Sequence, residues 1–594
     1  MEVLPPQEVA RRRERGLGLL AEGDTRSLPK TSFAVLSTFN VDLLRPFLIE
    51  ALDRVGLHSE AYFGKFGQIA QEIIDPDSAL YSGEPENVVL VPSVDDLLAP
   101  LFARPSGLSS EEVETLVRER SQELVNLVET VLERLPASTC YVVTVGTPRA
   151  PAEHILDPLE PKRGQVAVEQ LLNGVRALAA VSPRVVVVDW DWHTRATGTT
   201  SYRDERLWYL GRMHLNPVGL ASLADLITQY VAAYRGLARK VVVVDLDNTL
   251  WGGVVGEDWL QGLTLSEEGL GLAFQDFQRE LLKLYDTGVV LAICSKNNPD
   301  DAWEVFDHHS GMVLQREHFA AVRINWQDKA TNLIELSEEL SLGLDSFVFL
   351  DDSPVEREWV RSALPDVLVP DLPGDAAYRP QFLRKAPFFQ RIALTEADLI
   401  RSESYKALGF RRQLREKVAS LEEFLTSLEQ EITVEPVHEG SITRASQMCQ
   451  RTNQFNLTTH RYTIADLELM KNNDSVEAYT LVVRDRFGDS GITGLGILKF
   501  EQENAEVDTL LLSCRVLGRK VEAVFLAFLA DRARARGAGY LIGRYIPTTK
   551  NGQVELFYPD CGFEPVSEGL FRLDLEHNQL NVQTQITVKV VANA

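Results

Sequence analysis

Residues 240–251 read KVVVVDLDNTLW: four consecutive valines, then Asp245 and Asp247 two positions apart, then Thr249. An unbroken β-branched run predicts a strand buried on both faces, as in a parallel sheet covered by helices. Two carboxylates at the end of such a strand repel one another unless a cation sits between them or one holds a proton. GVVLAICSKNN (288–298) and SFVFLDDSP (346–354) repeat the pattern of an apolar strand ending in a polar cluster, with helical stretches between. In open α/β sheets ligands bind where the carboxyl ends of the strands converge. Asp245, Asp247, Ser295, Lys329 of NWQDKATN (325–332) and Asp351–Asp352 are therefore expected around one crevice. A nucleophile, a hydroxyl, a lysine and carboxylates able to hold Mg²⁺ are what attack on a phosphoryl group requires.

Composition sets the surroundings of this motif. The chain has 594 residues, 60 Lys+Arg and 86 Asp+Glu, for a formal charge of −26. That length predicts roughly three to five domains, and the mean charge argues against a protein that coats nucleic acid or an anionic membrane. Cys140, Cys294, Cys449, Cys514 and Cys561 are scattered without a CxxC pair, so neither a disulfide framework nor a cysteine zinc site is expected. No signal-peptide core and no run long enough to span a bilayer is found, and a cytoplasmic protein is expected.

Three α/β or mixed blocks follow from the patterning. Before the motif, FAVLST, NVVLVPS, CYVVTVG and RVVVVDWD alternate with helical stretches such as 110–135, predicting a parallel sheet wrapped by helices. After it comes a charged helical stretch, RRQLREKVASLEEFLTSLEQ (411–430), and then EAYTLVVRDRF, ITGLGILKF and EVDTLLLSCRV, read as successive antiparallel strands followed by a helix over 519–536. The boundaries are 1–30 for a lead, 31–238, 239–390, a helical connector over 391–430, 431–575, and a tail over 576–594.

The four central segments resemble the motifs of the haloacid dehalogenase superfamily of phosphohydrolases, and the continuation GGVVGEDW (252–259) is similar to its FkbH-like branch. The resemblance implies a doubly wound, Rossmann-like parallel sheet. It makes Asp245 the nucleophile, Asp247 the acid that protonates the leaving oxygen, Ser295 and Asn297 contacts to substrate, Lys329 the neutralising cation and Thr249 the residue that positions the loop. Mg²⁺ is implied on the Asp245 side chain, the Asp247 backbone carbonyl and Asp352, with Asp351 behind them.

SCRVLGRKVEAVFLAFLADRA (513–533) resembles the acyl-CoA loop of the Gcn5-related acyltransferase fold, with Arg515, Gly518, Arg519 and Lys520 at the expected phosphate cradle and Lys520 in place of a small residue. RTNQFNLTTHRY (451–462), RDRFGDSGITG (484–494) and LTEADLIRSESY (394–405) look like the FkbH-like family too, with Asn453 and Asn456 as candidate substrate contacts. Cys514 is a candidate acyl acceptor whose neighbouring cations would lower its pKa, with Cys294 its rival. Arg411, Arg412, Arg415, Arg519, Lys520, Arg532, Arg534 and Arg536 are expected to offer a basic face to an acidic partner.

The first block faintly resembles the SGNH-hydrolase fold, through FAVLSTFNVDLL (33–44) and MHLNPVGLASLADLI (213–227). Ser37, Thr38 and Asn40 replace Gly-Asp-Ser, and Gly211 stands three before His214, so that shape is expected without a working triad. Together these resemblances imply an enzyme that converts 1,3-bisphospho-D-glycerate, a small phosphorylated three-carbon acid, to glyceryl-S-acyl carrier protein on a phosphopantetheine thiol for polyketide-type biosynthesis. A plain Mg²⁺-dependent phosphatase and a non-hydrolytic carrier-binding module stay open as alternatives.

Overall fold

The computed structural model describes residues 4–22, 28–103, 107–144, 164–391, 405, 407, 411, 414, 420–452, 454–501, 503–548, 551–580, 582 and 585–591. The chain divides into two compact units, Met1–Tyr234 with Ile464–Leu469, and Arg235–Thr463 with Met470–Ala594. Among the described residues no helix is long and apolar enough to cross a membrane.

The first unit holds a five-stranded parallel sheet: β1 (Lys30–Ser37), β2 (His58–Phe63), β3 (Asn87–Val91), β4 (Thr139–Val143) and β5 (Val185–Val188), in the order β2-β1-β3-β4-β5. The helix Ser110–Arg134 starts at a capping box between Ser109 and Glu112, and its Leu124, Val128 and Val131 pack on Ala34, Leu36, Val88, Leu90 and Val142 of the sheet. The four apolar runs became β1, β3, β4 and β5. The edge strand β2, HSEAYF, has mostly half-exposed side chains, so its sequence carries no buried-strand signature.

In the second unit, β6 (Val241–Val244), β7 (Val290–Ser295), β8 (Phe319–Ile324) and β9 (Phe347–Leu350) form a parallel sheet in the order β8-β7-β6-β9. Alternation along β6 sends Val242 and Val244 to a core with Phe274, Phe277 and Leu281 of the helix Gly269–Asp286. Val241 and Val243 meet Leu333, Leu336 and Leu340 of the helix Lys329–Leu340 on the other face. This is the two-sided burial that the valine run predicts. The edge strand β8 was not foreseen, because FAAVRI is half-buried and interrupted by Arg323.

The rest of the unit is a nine-stranded mixed sheet. Its strands are β10 (Glu431–Pro436), β11 (Phe455–Asn456), β12 (Val476–Asp485), β13 (Gly488–Glu501), β14 (Asn504–Leu512), β15 (Tyr540–Arg544), β16 (Glu564–Ser567), β17 (Leu570–Asp574) and β18 (Thr587–Val590). β12, β13 and β14 are antiparallel as expected, and the helix after them spans Val521–Ala535. β14 runs parallel to β15 only as far as Val507, after which Leu511 and Leu512 pair with β11. β18 lies in the tail that the sequence left unassigned and pairs in parallel with β10. Of the expected connector, the helix Leu421–Ser427 is seen. Arg412, Arg415 and most of 394–405 lie outside the described residues.

Candidate active site

β6 delivers Asp245 to its carboxyl end, where the Asp245 N–H donates to the Leu350 carbonyl of β9 at 3.0 Å. The chain then turns through Asn248, at φ 53° in the left-handed region, with the Asn248 side chain accepting from Gly253 N at 2.9 Å. The turn brings the Asp247 carboxylate under three donors: Trp251 Nε1 at 2.9 Å, Val255 N at 3.2 Å and Asn297 Nδ2 at 2.9 Å. Burial nevertheless raises the Asp247 pKa, assisted by the charge of Asp245. A carboxyl so placed holds a proton more readily than an exposed one, as a general acid must.

Lys329 is the first residue of its helix, whose N-cap is Asp328. Its ammonium is buried, lies 3.0 Å from Asp245 Oδ1 and pairs with Asp351 Oδ2. Burial opposes that charge, but the carboxylates of Asp245 and Asp351 more than offset it and raise the lysine pKa. Asp351 is fully buried, and its pKa is raised to about 6 by burial and then by Asp245, against the pull of Lys329. Asp352 is raised for the same first two reasons. One oxygen from each of Asp245, Asp351 and Asp352 lies within 4.8 Å of the others, a donor set suited to a hard divalent cation. Asp351 is already engaged by Lys329 and by Ser353 N at 2.8 Å.

The structure brings the predicted residues together. Thr249 is buried, and its hydroxyl accepts from Asp352 N at 3.2 Å, which ties the loop after β6 to the loop after β9. Ser295 closes β7 and is buried, and the Asn297 amide donates to Asp247 Oδ2. Two organising arginines escaped the sequence reading. Arg357 donates to the carbonyls of Asp351 and Asp352 at 2.7 and 2.8 Å, and Arg379 donates to the carbonyl of Asn248. Both act on backbone oxygens, so nothing in a motif marks them.

The thiol elements lie elsewhere in the unit. Cys514 borders a cavity of about 370 Å³ whose lining includes Lys240, Asp345, Gln447, Gln454 and Arg515. Lys240 precedes β6 and Asp345 precedes β9, so the cavity adjoins the amino ends of these strands, whereas Asp245 stands at the carboxyl end. The five steps along the chain from Lys240 to Asp245 span about 16 Å when extended. The two candidate centres do not share a crevice.

Several expectations are corrected here. The Cys514 thiol pKa is raised, not lowered: burial outweighs the opposing charges of Lys240 and Arg515. Cys294 is fully buried in the core between the sheet and the helix Lys329–Leu340, and its pKa is pushed up to about 12. Arg519 is no ligand contact, because its buried guanidinium donates to Asp485 Oδ2 at 2.9 Å. Arg411 binds the same carboxylate at 2.8 Å, and Arg532, Arg534 and Arg536 are engaged by Glu477, by the carbonyls of Leu575 and Asn578, and by the carbonyl of Asp474. Arg411 and Arg519 are thus turned inward, whereas Arg532, Arg534 and Arg536 stay partly exposed in their pairs. Asn456 is also structural: its amide donates to the Thr452 carbonyl and accepts from Thr459 N. Asn453 lies outside the described residues.

Gly518 and Lys520 are exposed, and Lys520 sits at φ 64° as the N-cap of the helix Val521–Ala535. A side chain in this left-handed conformation is strained. Lys520→Gly is therefore expected to stabilise the protein by roughly 0.5–1 kcal/mol, read as a higher urea midpoint at unchanged slope. An unchanged or lower midpoint would show that the lysine side chain compensates for its backbone.

In the first unit, Ser37 donates to the Val91 carbonyl at 3.1 Å and accepts from Phe39 N at 3.2 Å. The His214 ring is buried, with Nε2 at 3.4 Å from Asp96 and Nδ1 at 3.7 Å from Asp95, between Trp208 and Phe39.

No protein-family model and no curated protein matches the chain. Among solved structures, the chain is similar to the N-terminal part of the protein BF1531 from Bacteroides fragilis, described as containing a phosphatase domain complexed with Mg. The two are 26% identical over 65% of this chain and 99% of that one, with a TM-score of 0.58. The ribosomal-protein-S18-alanine N-acetyltransferase from Escherichia coli overlaps 25% of this chain and 98% of its own, at 14% identity and a TM-score of 0.19. A GNAT-family acetyltransferase from Desulfovibrio desulfuricans overlaps 24% and 99%, at 11% identity and the same score.

Proposed function

We propose that this chain is a Mg²⁺-dependent phosphatase of the haloacid dehalogenase type joined to an acyl-transferring thiol domain. Its substrate is then a small phosphorylated three-carbon acid, 1,3-bisphospho-D-glycerate, and its product a glyceryl thioester on the phosphopantetheine of an acyl carrier protein, for polyketide-type biosynthesis. The observation that carries the phosphatase reading is the meeting of Asp245, Lys329, Asp351 and Asp352 at the strand ends, beside an Asp247 whose pKa is raised. The similar phosphatase domain from B. fragilis, complexed with Mg, supports the cation.

Asp245 attacks the phosphorus of the C3 ester through a carboxylate oxygen, and Asp247 gives its proton to the departing alkoxide. Asp247, now ionised, takes a proton from the water that hydrolyses the aspartyl phosphate. Lys329 stays protonated throughout and neutralises the carboxylates beside the transferred group. The Asp245 and Asp352 carboxylates with the Asp247 carbonyl would hold Mg²⁺, which supplies charge stabilisation for the phosphoryl oxygens. At the other centre the Cys514 thiolate displaces phosphate from the C1 acyl phosphate, forming a thioester that the carrier thiol then attacks to free Cys514. The first unit is read as an SGNH-like, non-catalytic companion.

Incubation with 1,3-bisphosphoglycerate, Mg²⁺ and a phosphopantetheinylated carrier, followed by intact mass of the carrier, tests the whole reading. A glyceryl adduct that disappears with Cys514→Ala is expected. The opposed positions of the two centres and the raised thiol pKa favour one alternative, a plain phosphatase, for which free phosphate appears and the carrier stays unmodified.

The cation also has a signature in stability. The raised Asp351 carboxyl favours the folded state below about pH 4, its usual range, and that contribution is lost as the pH rises through about 6. A bound cation takes the proton's place. Saturating Mg²⁺, worth about 2.7 kcal/mol at a hundredfold excess over Kd, is expected to raise Tm by roughly 5 °C at pH 7.5 and by less than half as much at pH 5. Equal shifts at the two pH values would remove the carboxylate cluster as the binding site.

A further inference from the structure

The helix Glu439–Arg451 carries Arg444, Gln447 and Met448 three and four positions apart, so the three share a face. That face lines the cavity of about 370 Å³ together with Cys514 and Arg515 of the turn after β14. Lys240 and Ser346, the residues before β6 and β9, line it as well. Arg444, Gln447 and Arg515 are each at most 8% exposed. Gln447 Oε1 is buried and accepts no hydrogen bond among the described residues. A buried carbonyl oxygen left in that state costs about 1–3 kcal/mol, which a donor entering the cavity would recover.

The charges of the lining decide what else such a donor carries. Lys240 and Arg515 both act on the Cys514 thiol as positive charges that oppose its burial, and Arg444 adds a third cation. The carboxylates of the lining, Asp345 and Asp366, belong to exposed residues, and Arg239 donates to the backbone carbonyl of each. The buried part of the wall is therefore cationic, and guanidinium groups favour a carboxylate or a phosphate through paired hydrogen bonds. A bare anion would leave Gln447 unsatisfied, and a neutral polyol would gain nothing from the guanidinium groups. The volume lies within the roughly 300–1,000 Å³ typical of small-molecule sites.

We infer that this cavity binds a small hydroxylated anion, its carboxylate or phosphate drawn to Arg444 and Arg515 and a hydroxyl donating to Gln447 Oε1. The site stands on the cavity alone. That its occupant is the acyl donor of Cys514 rests on the transfer reading above.

The test follows alkylation of Cys514 by iodoacetamide in the full chain, read by peptide mass, with EDTA present to silence Mg²⁺-dependent hydrolysis. D-3-Phosphoglycerate is expected to protect the thiol at a concentration about tenfold lower than 3-phosphooxypropionate, which lacks only the C2 hydroxyl. Protection by D-glycerate as strong as by the phosphorylated acid assigns the carboxylate to the guanidinium groups, and weaker protection assigns the phosphate. Glycerol, which has hydroxyls and no charge, should not protect. Gln447→Met, close in size but without the acceptor, should erase the preference while leaving the concentration needed of 3-phosphooxypropionate within about twofold. That readout is a ratio between two ligands on one variant, so a general loosening of the helix does not imitate it. Equal protection by the two phosphorylated acids, or a preference that survives Gln447→Met, overturns the inference. So does protection by pantetheine and by none of the acids, which would give the cavity to a carrier's arm. Protection that depends on Gln447 in a chain that forms no glyceryl thioester keeps the site and removes only the transfer reading.

Discussion

Asp245→Asn is expected to lower kcat/KM for phosphate release by at least about 10³-fold while leaving the protein folded. The amide keeps the size of the side chain but has no anionic oxygen to form the aspartyl phosphate. The fold tolerates the change because Lys329 retains Asp351 as an ion-pair partner. Asp245 also contributes to the raised pKa values of Asp247, Asp351 and Asp352, so its neutralisation relieves repulsion among them. The variant should therefore melt no lower than the parent without Mg²⁺ and respond less to the cation. Phosphate release within tenfold of the parent would exclude Asp245 as the nucleophile. Loss of activity together with a large fall in Tm would leave the loss attributable to misfolding and would contradict the charge argument.

Asp485→Ala is expected to cost about 3–5 kcal/mol of stability, the largest structural effect among these substitutions. The Asp485 side chain is fully buried and receives Arg411 through two hydrogen bonds at 2.8 and 2.9 Å, Arg519 at 2.9 Å and Phe487 N at 2.9 Å. Removing it leaves two buried guanidinium groups facing each other without their common counter-charge. Arg519 already has its pKa lowered to about 10, by burial and then by Arg411, so its charge is hard to sustain in the variant. Arg519 immediately precedes the N-cap of the helix Val521–Ala535 and also donates to the Arg515 carbonyl beside Cys514, so the thiol cavity should loosen as the pair is lost. Urea unfolding measures the cost, and the alkylation rate of Cys514 reports the cavity. A loss under 1 kcal/mol would mean that water or rearrangement solvates both arginines, and the ion-pair account of this corner would be wrong.

The candidate site was legible because parallel strands align their carboxyl ends. Once VVVV, VLAIC and FVFL were recognised as strands, Asp245, Ser295 and Asp351 had to come to one edge, and Lys329 joined them as the first residue of its helix. β2, β8 and β18 were missed because they are exposed or half-exposed edge strands whose residues carry little hydrophobic pattern. The inner strands β10, β15 and β17 were missed as well, because each is only five or six residues of mixed burial with no apolar run.

The sequence by itself determined the buried strands, their order along the chain and the chemistry placed at their ends, since burial on both faces demands apolar β-branched runs and leaves polar clusters at the termini. Only the tertiary structure decided what each charge does. Asp485 lies 74 residues from Arg411 and 34 from Arg519, and their meeting turns these two arginines of the expected basic face inward. Cys514 stands among cations in the sequence, yet it is partly buried against the core of the parallel sheet, and burial raises its pKa. The balance between burial and Coulombic attraction is set by neighbours distant in the chain, and it exists only once the chain has folded.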